Sequence, residues 1–551
     1  MKTIATVLSL LLLATLCAQG AIHDSNGSAS DVQAKHKEAS NGDTITLPAG
    51  TFTWSTPVTI SKAIRLQGQG SGRIIGNTKS QVTIGTGSKT FTTTRVIPGI
   101  VAGQTLRIAK MPKGSGGIPA RENYMEGTVT SFSGTTLVLN VTNIGGSGTW
   151  TFWWIATQPA TTIIDNYHGN GNTSDPMLRL NCALSGNTEL SGIRFLGSPS
   201  TSSFIGIFAS AYIMPKVLIH DCSIENNGNL TAIYSNTNQG LVWNCSFDDP
   251  FTLAASAFSW KEESSASFSS WSTNSTMGAA DTNGATNFYV EDCDFHAYLN
   301  WGDTDSNSRV VARHNVFDNS GLSSHGADTG PIGLRHVELY DNELIFDNFG
   351  CDANTTLNVN WFFWMRGGTG VITDNILPAI SSCSWGNKGN ILFSVLNIRI
   401  NTGGYPCWTK YPAPHQLGQG YGPGAVSYSH YSGSNYGRLN YYTYLEPVYI
   451  WSNSGTGGNQ VGLNAESADP CGNNQLLSNY IQAGRDYKLE PKPGYVKYTY
   501  PHPLRSSASP SRQTVGPTPS SQHDLNKRNE RKAKKIKTWK WGRAKENSVN
   551  D

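Results

Sequence analysis

The chain has 551 residues, of which only 14% are charged, and it holds 58 glycines. Sparse charge with abundant glycine argues against a helical repeat and suits strands stacked through turns. The net charge of +3 hides a split: residues 527–551 carry ten Lys/Arg against three acids, leaving the preceding body near −4. On charge grounds that body is not a nucleic-acid binder.

At the start, Lys2, an apolar run over 4–16 and small residues from Ala18 to Ala21 read as a secretory signal cut near Gly20. The run is too short to span a bilayer. Secretion would place the chain outside the cell or at its surface, where disulfides are permitted. Of the nine cysteines, Cys222, Cys245 and Cys293 read as buried strand-end residues. Cys351, Cys383, Cys407 and Cys471 sit in loops and are the disulfide candidates, with pairing undetermined. Residues 31–39 form an amphipathic helix that Ser30 or Asp31 can cap, ending at the turn Asn41-Gly42-Asp43. Alternating apolar residues over 44–70 then predict strand pairs.

The body is a repeat. Short apolar-alternating strands end in a small residue, giving the column Cys222, Cys245, Cys293, Asn315, Asn342 and Asn375, with steps of 23, 48, 22, 27 and 33 residues. Unequal loops swelling a common rung, with period-2 strands, predict a β-solenoid. Stacked rungs lie about 4.8 Å apart, so equivalent positions form files. Two residues before the small column, facing outward, stand His220, Trp243, Glu291, Arg313, Tyr340 and Thr373. Six before it stand Asn287, Arg309, His336 and Thr369. Val290, Ala312 and Leu339 point inward between them. A slip of one residue would invert every face.

The stretch Gly42-Asp43-Thr44-Ile45-Thr46-Leu47-Pro48-Ala49-Gly50-Thr51-Phe52, preceded by a short helix, resembles a signature of the pectate-lyase-like superfamily. The resemblance implies an all-β, right-handed parallel β-helix, with the N-terminal helix capping its open end. Residues 66–72 and 161–165 would join as one rung, which makes 73–159 an insertion. The hairpin pattern over 127–141 and the Trp-rich end resemble a small β-module of phage tail and secreted bacterial proteins. The expected organisation is therefore a signal (1–20), a cap and first rungs (21–72), a small β domain (73–159), the main β-helix (160–504) and a tail (505–551). Residues 480–504 read as an extended strap along the body. The Ser/Pro-rich linker and basic tail read as disordered, and the tail can contact anionic surface polymers. A monomer without a membrane span is expected.

In lyases of this superfamily the substrate groove lies on the strand face after the loop that follows the turn. On that face Trp301-Gly302, His325-Gly326 and Arg366-Gly367 are read as one column, with Trp364 two residues before Arg366. Trp301 and Trp364 can stack on sugar rings. Arg366 and Arg335 can neutralise a carboxylate, and His325 or Arg313 can serve as base, with His325 favoured because arginine holds its proton too tightly. Arg309, His336, Tyr340 and Glu291 are further substrate-binding candidates, and Asp303, Asp305 and Asp328 can ligate Ca²⁺. Each has a plainer reading as a turn cap or a core residue. The favoured function is a secreted protein that binds an extracellular polysaccharide, with a uronate-containing one as the expected substrate, and cleaves it by β-elimination. The alternatives are a non-catalytic glycan-binding rod and a glycoside hydrolase. The hydrolase would use pairs such as Asp248-Asp249, but no complete lyase or polygalacturonase signature is present.

Overall fold

The computed structural model describes residues 20–110 and 123–168, and then the strands and turns of the rungs between 176 and 507. Outside the described residues lie 1–19, 111–122, 508–551 and connections at 169–175, 181–185, 198–206, 210–216, 226–230, 236–238, 249–255, 262–280, 285, 297–299, 306–307, 319, 325–333, 346–362, 366, 378–392, 395–416, 421–425, 432–437, 456–457, 460 and 463–480. The chain divides into two compact units.

The larger unit is a parallel β-helix with three faces visited in turn. The first is a 12-stranded sheet that includes Val217–His220, Gly240–Trp243, Phe288–Glu291, Arg309–Arg313, His336–Tyr340, Thr369–Thr373 and Val448–Trp451. The second and third faces have eight strands each. On the first face His220, Trp243, Glu291, Arg313, Tyr340, Thr373 and Trp451 are register partners in succession. This is the file expected from the sequence. It arises because Val217, Ile219, Val242, Val290, Ala312 and Leu339 belong inside, where all are buried.

The turn from the first face to the second explains the small column. In each rung the preceding residue takes positive φ: Asp221, Asn244, Asp292, His314, Asp341, Asp374 and Ser452 lie between 50° and 58°. Asp, Asn and His tolerate this left-handed conformation best among non-glycine residues. The following residue turns inward and must satisfy backbone polar groups there. Asn315 donates from Nδ2 to the Val290 carbonyl (3.0 Å) and to Asn342 Oδ1 (3.1 Å), and Asn342 and Asn375 repeat the pattern toward Asn453. Cys222, Cys245 and Cys293 occupy the same position as buried free thiols, and burial pushes the Cys245 and Cys293 thiols up in pKa. Cys351, Cys383, Cys407 and Cys471 lie outside the described residues.

Inside, aromatic rings stack along the axis. Phe247, Phe295 and Phe317 succeed one another with ring centroids 4.9 and 5.0 Å apart. The helix spans Ala29–Glu38, two residues earlier than the sequence suggested, and Ser28 is its N-cap, accepting from the Asp31 N–H. Ser28 Oγ serves as cap acceptor because Asp31 falls at the third helical position, where its charge also complements the helix dipole. Val32 is buried, and the Gln33 side chain bonds both backbone groups of Thr59, in the edge strand Val58–Ile60.

The smaller unit contains a six-stranded sheet in the order Ile74–Thr78, Trp153–Thr157, Thr105–Lys110, Tyr124–Ser133, Thr136–Gly145 and Gly87–Thr92. Its first and last strands approach each other through a bridge between Thr78 and Thr93, which curls the sheet around Phe91, Leu106, Ile108, Met125, Leu139 and Ile155. The hairpin turns at Gly134, whose φ of +59° is one that glycine adopts without cost.

Candidate functional site

Most of the residues nominated on the first face lie beneath the C-terminal segment. Residues 489–505 run along the outside of this face, and the side chains below them carry the bonds. Arg313 donates to Glu291, to the Tyr340 hydroxyl (2.9 Å) and to the carbonyls of Tyr498 and Thr499 (2.7 Å each). Glu291 also accepts the His502 N–H (3.2 Å) and lies 3.0 Å from Arg505. Lys497 bridges Asp341 (2.8 Å) and Asp374 (2.7 Å), and the Tyr500 hydroxyl donates to Asp292 (2.7 Å). The left-handed turn residues thus supply the acids that hold the segment down. Leu218, Leu241, Trp243, Tyr289, Val311 and Tyr340 form a small second core with Tyr498.

The consequence for the nominated residues is direct. Glu291, Arg313 and Arg335 have no exposed surface, Tyr340 and His336 retain 1% each, and Arg309 retains 5%. Arg335 pairs with Glu446 (3.0 Å) and donates to Thr369. Burial depresses the His336 pKa well below the usual imidazole range, while Glu291 is the foremost of the groups that raise Arg313 against its burial. A polymer cannot reach these groups beneath the segment, so their assignment to catalysis or substrate binding does not hold for the closed chain. Outward alternation was read correctly; what covers the outward face could not be.

Trp301 needs a second correction. On the third face Gly302 pairs with Leu322, and Leu322 with Phe363, so the three residue-glycine endings do not form one column. Trp301 is fully buried, stacked on Phe317 at 4.6 Å and edge-on to Trp260 at 5.9 Å. The inward residues Phe258, Leu322 and Phe363 set the register, and a shared dipeptide carries no energy to oppose them. His325, Asp328 and Arg366 lie outside the described residues, and Asp305 and Trp364 are placed by backbone register alone.

On the third face the register aligns Arg179, Phe208, Tyr234, Ser259, Asp303, Ser323 and Trp364 in one file. Arg179, Tyr234 and Asp303 are partly exposed there, each between buried neighbours. Six rung steps of about 4.8 Å make the file about 29 Å long. Asp303 and Trp364 were singled out from sequence. Arg179 and Tyr234 were missed, although Arg179 stands between two apolar residues in Leu-Arg-Leu and Tyr234 follows Ile233.

The second face carries Glu225, Asp248, His296 and Asp318 on successive rungs. All are buried. Arg194 donates to both Glu225 oxygens (3.1 and 2.8 Å), and His296 Nδ1 lies 3.8 Å from Asp318. Asp248, a hydrolase candidate, is only 4% exposed, and Asp249 is outside the described residues. Among the described residues no group of three His, Cys, Asp or Glu side chains is arranged to hold a metal ion, and no helix is long and apolar enough to cross a membrane.

No family model matches the chain, and no curated protein matches its sequence. Among solved structures, a PL6-family polysaccharide lyase from Pseudopedobacter saltans is 12% identical, covering 90% of this chain and all of its own, with a TM-score of 0.34. An alginate lyase from a Paenibacillus species is 9% identical over 66% of this chain and 88% of its own, with a TM-score of 0.27. A tailspike of Pseudomonas phage phi297 is 12% identical over 63% of this chain and 67% of its own, with a TM-score of 0.16. The parallel β-helix assignment stands on the strand order and register of the chain itself.

Proposed function

We propose that this chain is a secreted, carbohydrate-active β-helix protein that binds an extracellular polysaccharide along its third face and cleaves it by β-elimination. The observation that supports this reading is the third-face file with Arg179, Tyr234 and Asp303 partly exposed at regular rung spacing. An extended glycan has a comparable repeat. Tyr234 offers a ring face to a sugar, and Arg179 offers a planar donor pair to a uronate carboxylate.

In the reaction a base removes the proton at C5, the electron pair forms the C4–C5 double bond, and the C4–O bond breaks. The departing sugar oxygen then takes a proton. His325 is assigned as the base by residue type. Arg366 is assigned by residue type to neutralise the carboxylate of the reacting sugar, which makes its C5 proton acidic, while Arg179, six rung steps from Trp364, is assigned to a uronate farther along the chain. Asp303, Asp305 and Asp328 would hold a Ca²⁺ ion that adds positive charge to that of these cations. The basic tail is assigned to anionic surface polymers by charge alone.

The test is absorbance of unsaturated uronate on alginate and pectate, with and without Ca²⁺, for wild type, Arg179→Ala and His325→Ala. A rise in wild type that His325→Ala lacks, and that Arg179→Ala shows only at higher polysaccharide concentration, is the expected result. A flat wild-type trace without new reducing ends, together with retardation in a polysaccharide gel, would establish the non-catalytic rod instead.

A further inference from the structure

Several acids on the outside of the first face are matched by cations of the C-terminal segment, Asp341 and Asp374 by Lys497 and Glu291 and Asp292 by Arg505. Glu338 is matched differently. It occupies the file Glu189, Leu218, Leu241, Tyr289, Val311, Glu338, Val371 and Tyr449, in which both of its immediate neighbours are valines. It is fully buried. Its Oε1 lies 3.1 Å from His336 Nε2, and its Oε2 accepts from the Tyr495 hydroxyl at 2.7 Å.

The protons in this cluster can be counted. The Thr369 hydroxyl has one hydrogen and donates it to the Arg335 carbonyl (3.1 Å). His336 Nδ1, 2.9 Å from that hydroxyl oxygen, must then be a donor. One proton remains for the gap between Nε2 and Oε1, whichever of the two holds it. Burial pushes Glu338 up to about 8 and His336 far down, which favours a neutral acid beside a neutral imidazole.

We propose that this shared proton latches the C-terminal strap: with it, Tyr495 closes over Glu338, and its loss at alkaline pH opens the strap between Lys492 and Tyr498. Without the proton, two acceptors face each other across the gap unless Thr369 turns away from Arg335. The carboxylate is then a buried charge beside Val311 and Val371. Arg313 on the neighbouring strand and Lys492 on the strap offset that charge in part, while Tyr340, Arg309, Arg335 and Glu446 complete the ionisable surroundings. Tyr495 still donates to Oε2, so the cost falls on Oε1, for which water is the remaining donor, and lifting the strap admits it. Lys497 and Arg505 keep their own carboxylate partners, so the opening is local and reversible.

Hydrogen exchange of the full chain read by mass spectrometry at pH 6 and pH 9, corrected for intrinsic exchange rates, tests the latch. In wild type, peptides covering 490–498 should lose about tenfold or more of their protection at pH 9, while 309–317 keeps its own. In Glu338→Gln, a neutral mimic of the latched state, the loss should vanish. Unchanged wild-type protection, an equal loss in the variant, or loss in strap and core together would overturn the proposal. The wild-type comparison stands without the variant.

Discussion

Arg313 and Glu291 face each other on neighbouring strands of the first face, joined through Nε at 2.7 Å, with neither side chain exposed. The pair is also the point where the C-terminal strap is held, because Arg313 carries the Tyr498 and Thr499 carbonyls and Glu291 carries the His502 N–H.

Removing Arg313 leaves the buried Glu291 with Arg505 as its remaining cation and takes the donor from the Tyr498 and Thr499 carbonyls. Arg313→Leu should therefore lower stability by about 3–5 kcal/mol in denaturant unfolding. Arg313→Leu combined with Glu291→Leu should recover part of that loss, because the buried carboxylate goes as well. A double variant as unstable as the sum of the two single variants would contradict this account.

Trp301 and Tyr234 should separate cleanly. Trp301→Ala empties core volume between Phe317 and Trp260 and should cost about 3–5 kcal/mol. Tyr234→Ala, on the partly exposed file, should change stability by about 1 kcal/mol or less. It should weaken retention on a polysaccharide gel about tenfold, equivalent to about 1.4 kcal/mol. Thermal melts and affinity electrophoresis of the two variants are the measurements.

Asn342 bonds the rungs on either side. Asn342→Ala leaves the Asn315 N–H, the Asn315 amide and the Ala312 carbonyl without their partner. With about 1–3 kcal/mol for a single unsatisfied buried group and some relaxation, a loss on the order of 3 kcal/mol is expected in equilibrium unfolding.

Glu338 makes stability depend on pH with a definite sign. Its folded pKa of about 8 lies above the ordinary 4.5, so the folded chain keeps a proton that the unfolded chain has released. Stability fully present below about pH 4.5 is lost as pH rises toward and through 8. Glu338→Gln should thus gain on wild type between pH 5 and pH 8, by on the order of 2–4 kcal/mol at about 1.4 kcal/mol per pH unit. Melting temperatures of both proteins across that range decide it; parallel curves would exclude the shift.

The repeat, its rung column and its inside-outside alternation were legible in the sequence because each is local. A period-2 strand declares its two faces, and the recurring small residue that ends each strand fixes which positions align. The file from His220 to Thr373 followed from that alone. Which outward file meets solvent was decided by tertiary structure. Tyr495, Lys497, Tyr500 and Arg505 lie more than 150 residues from the partners they cover, and no local pattern encodes that pairing. The same holds for the third face. Trp301 looked like a sugar platform, but its register was set by Phe258, Leu322 and Phe363 on other rungs, and burial of apolar surface outweighed a matching dipeptide.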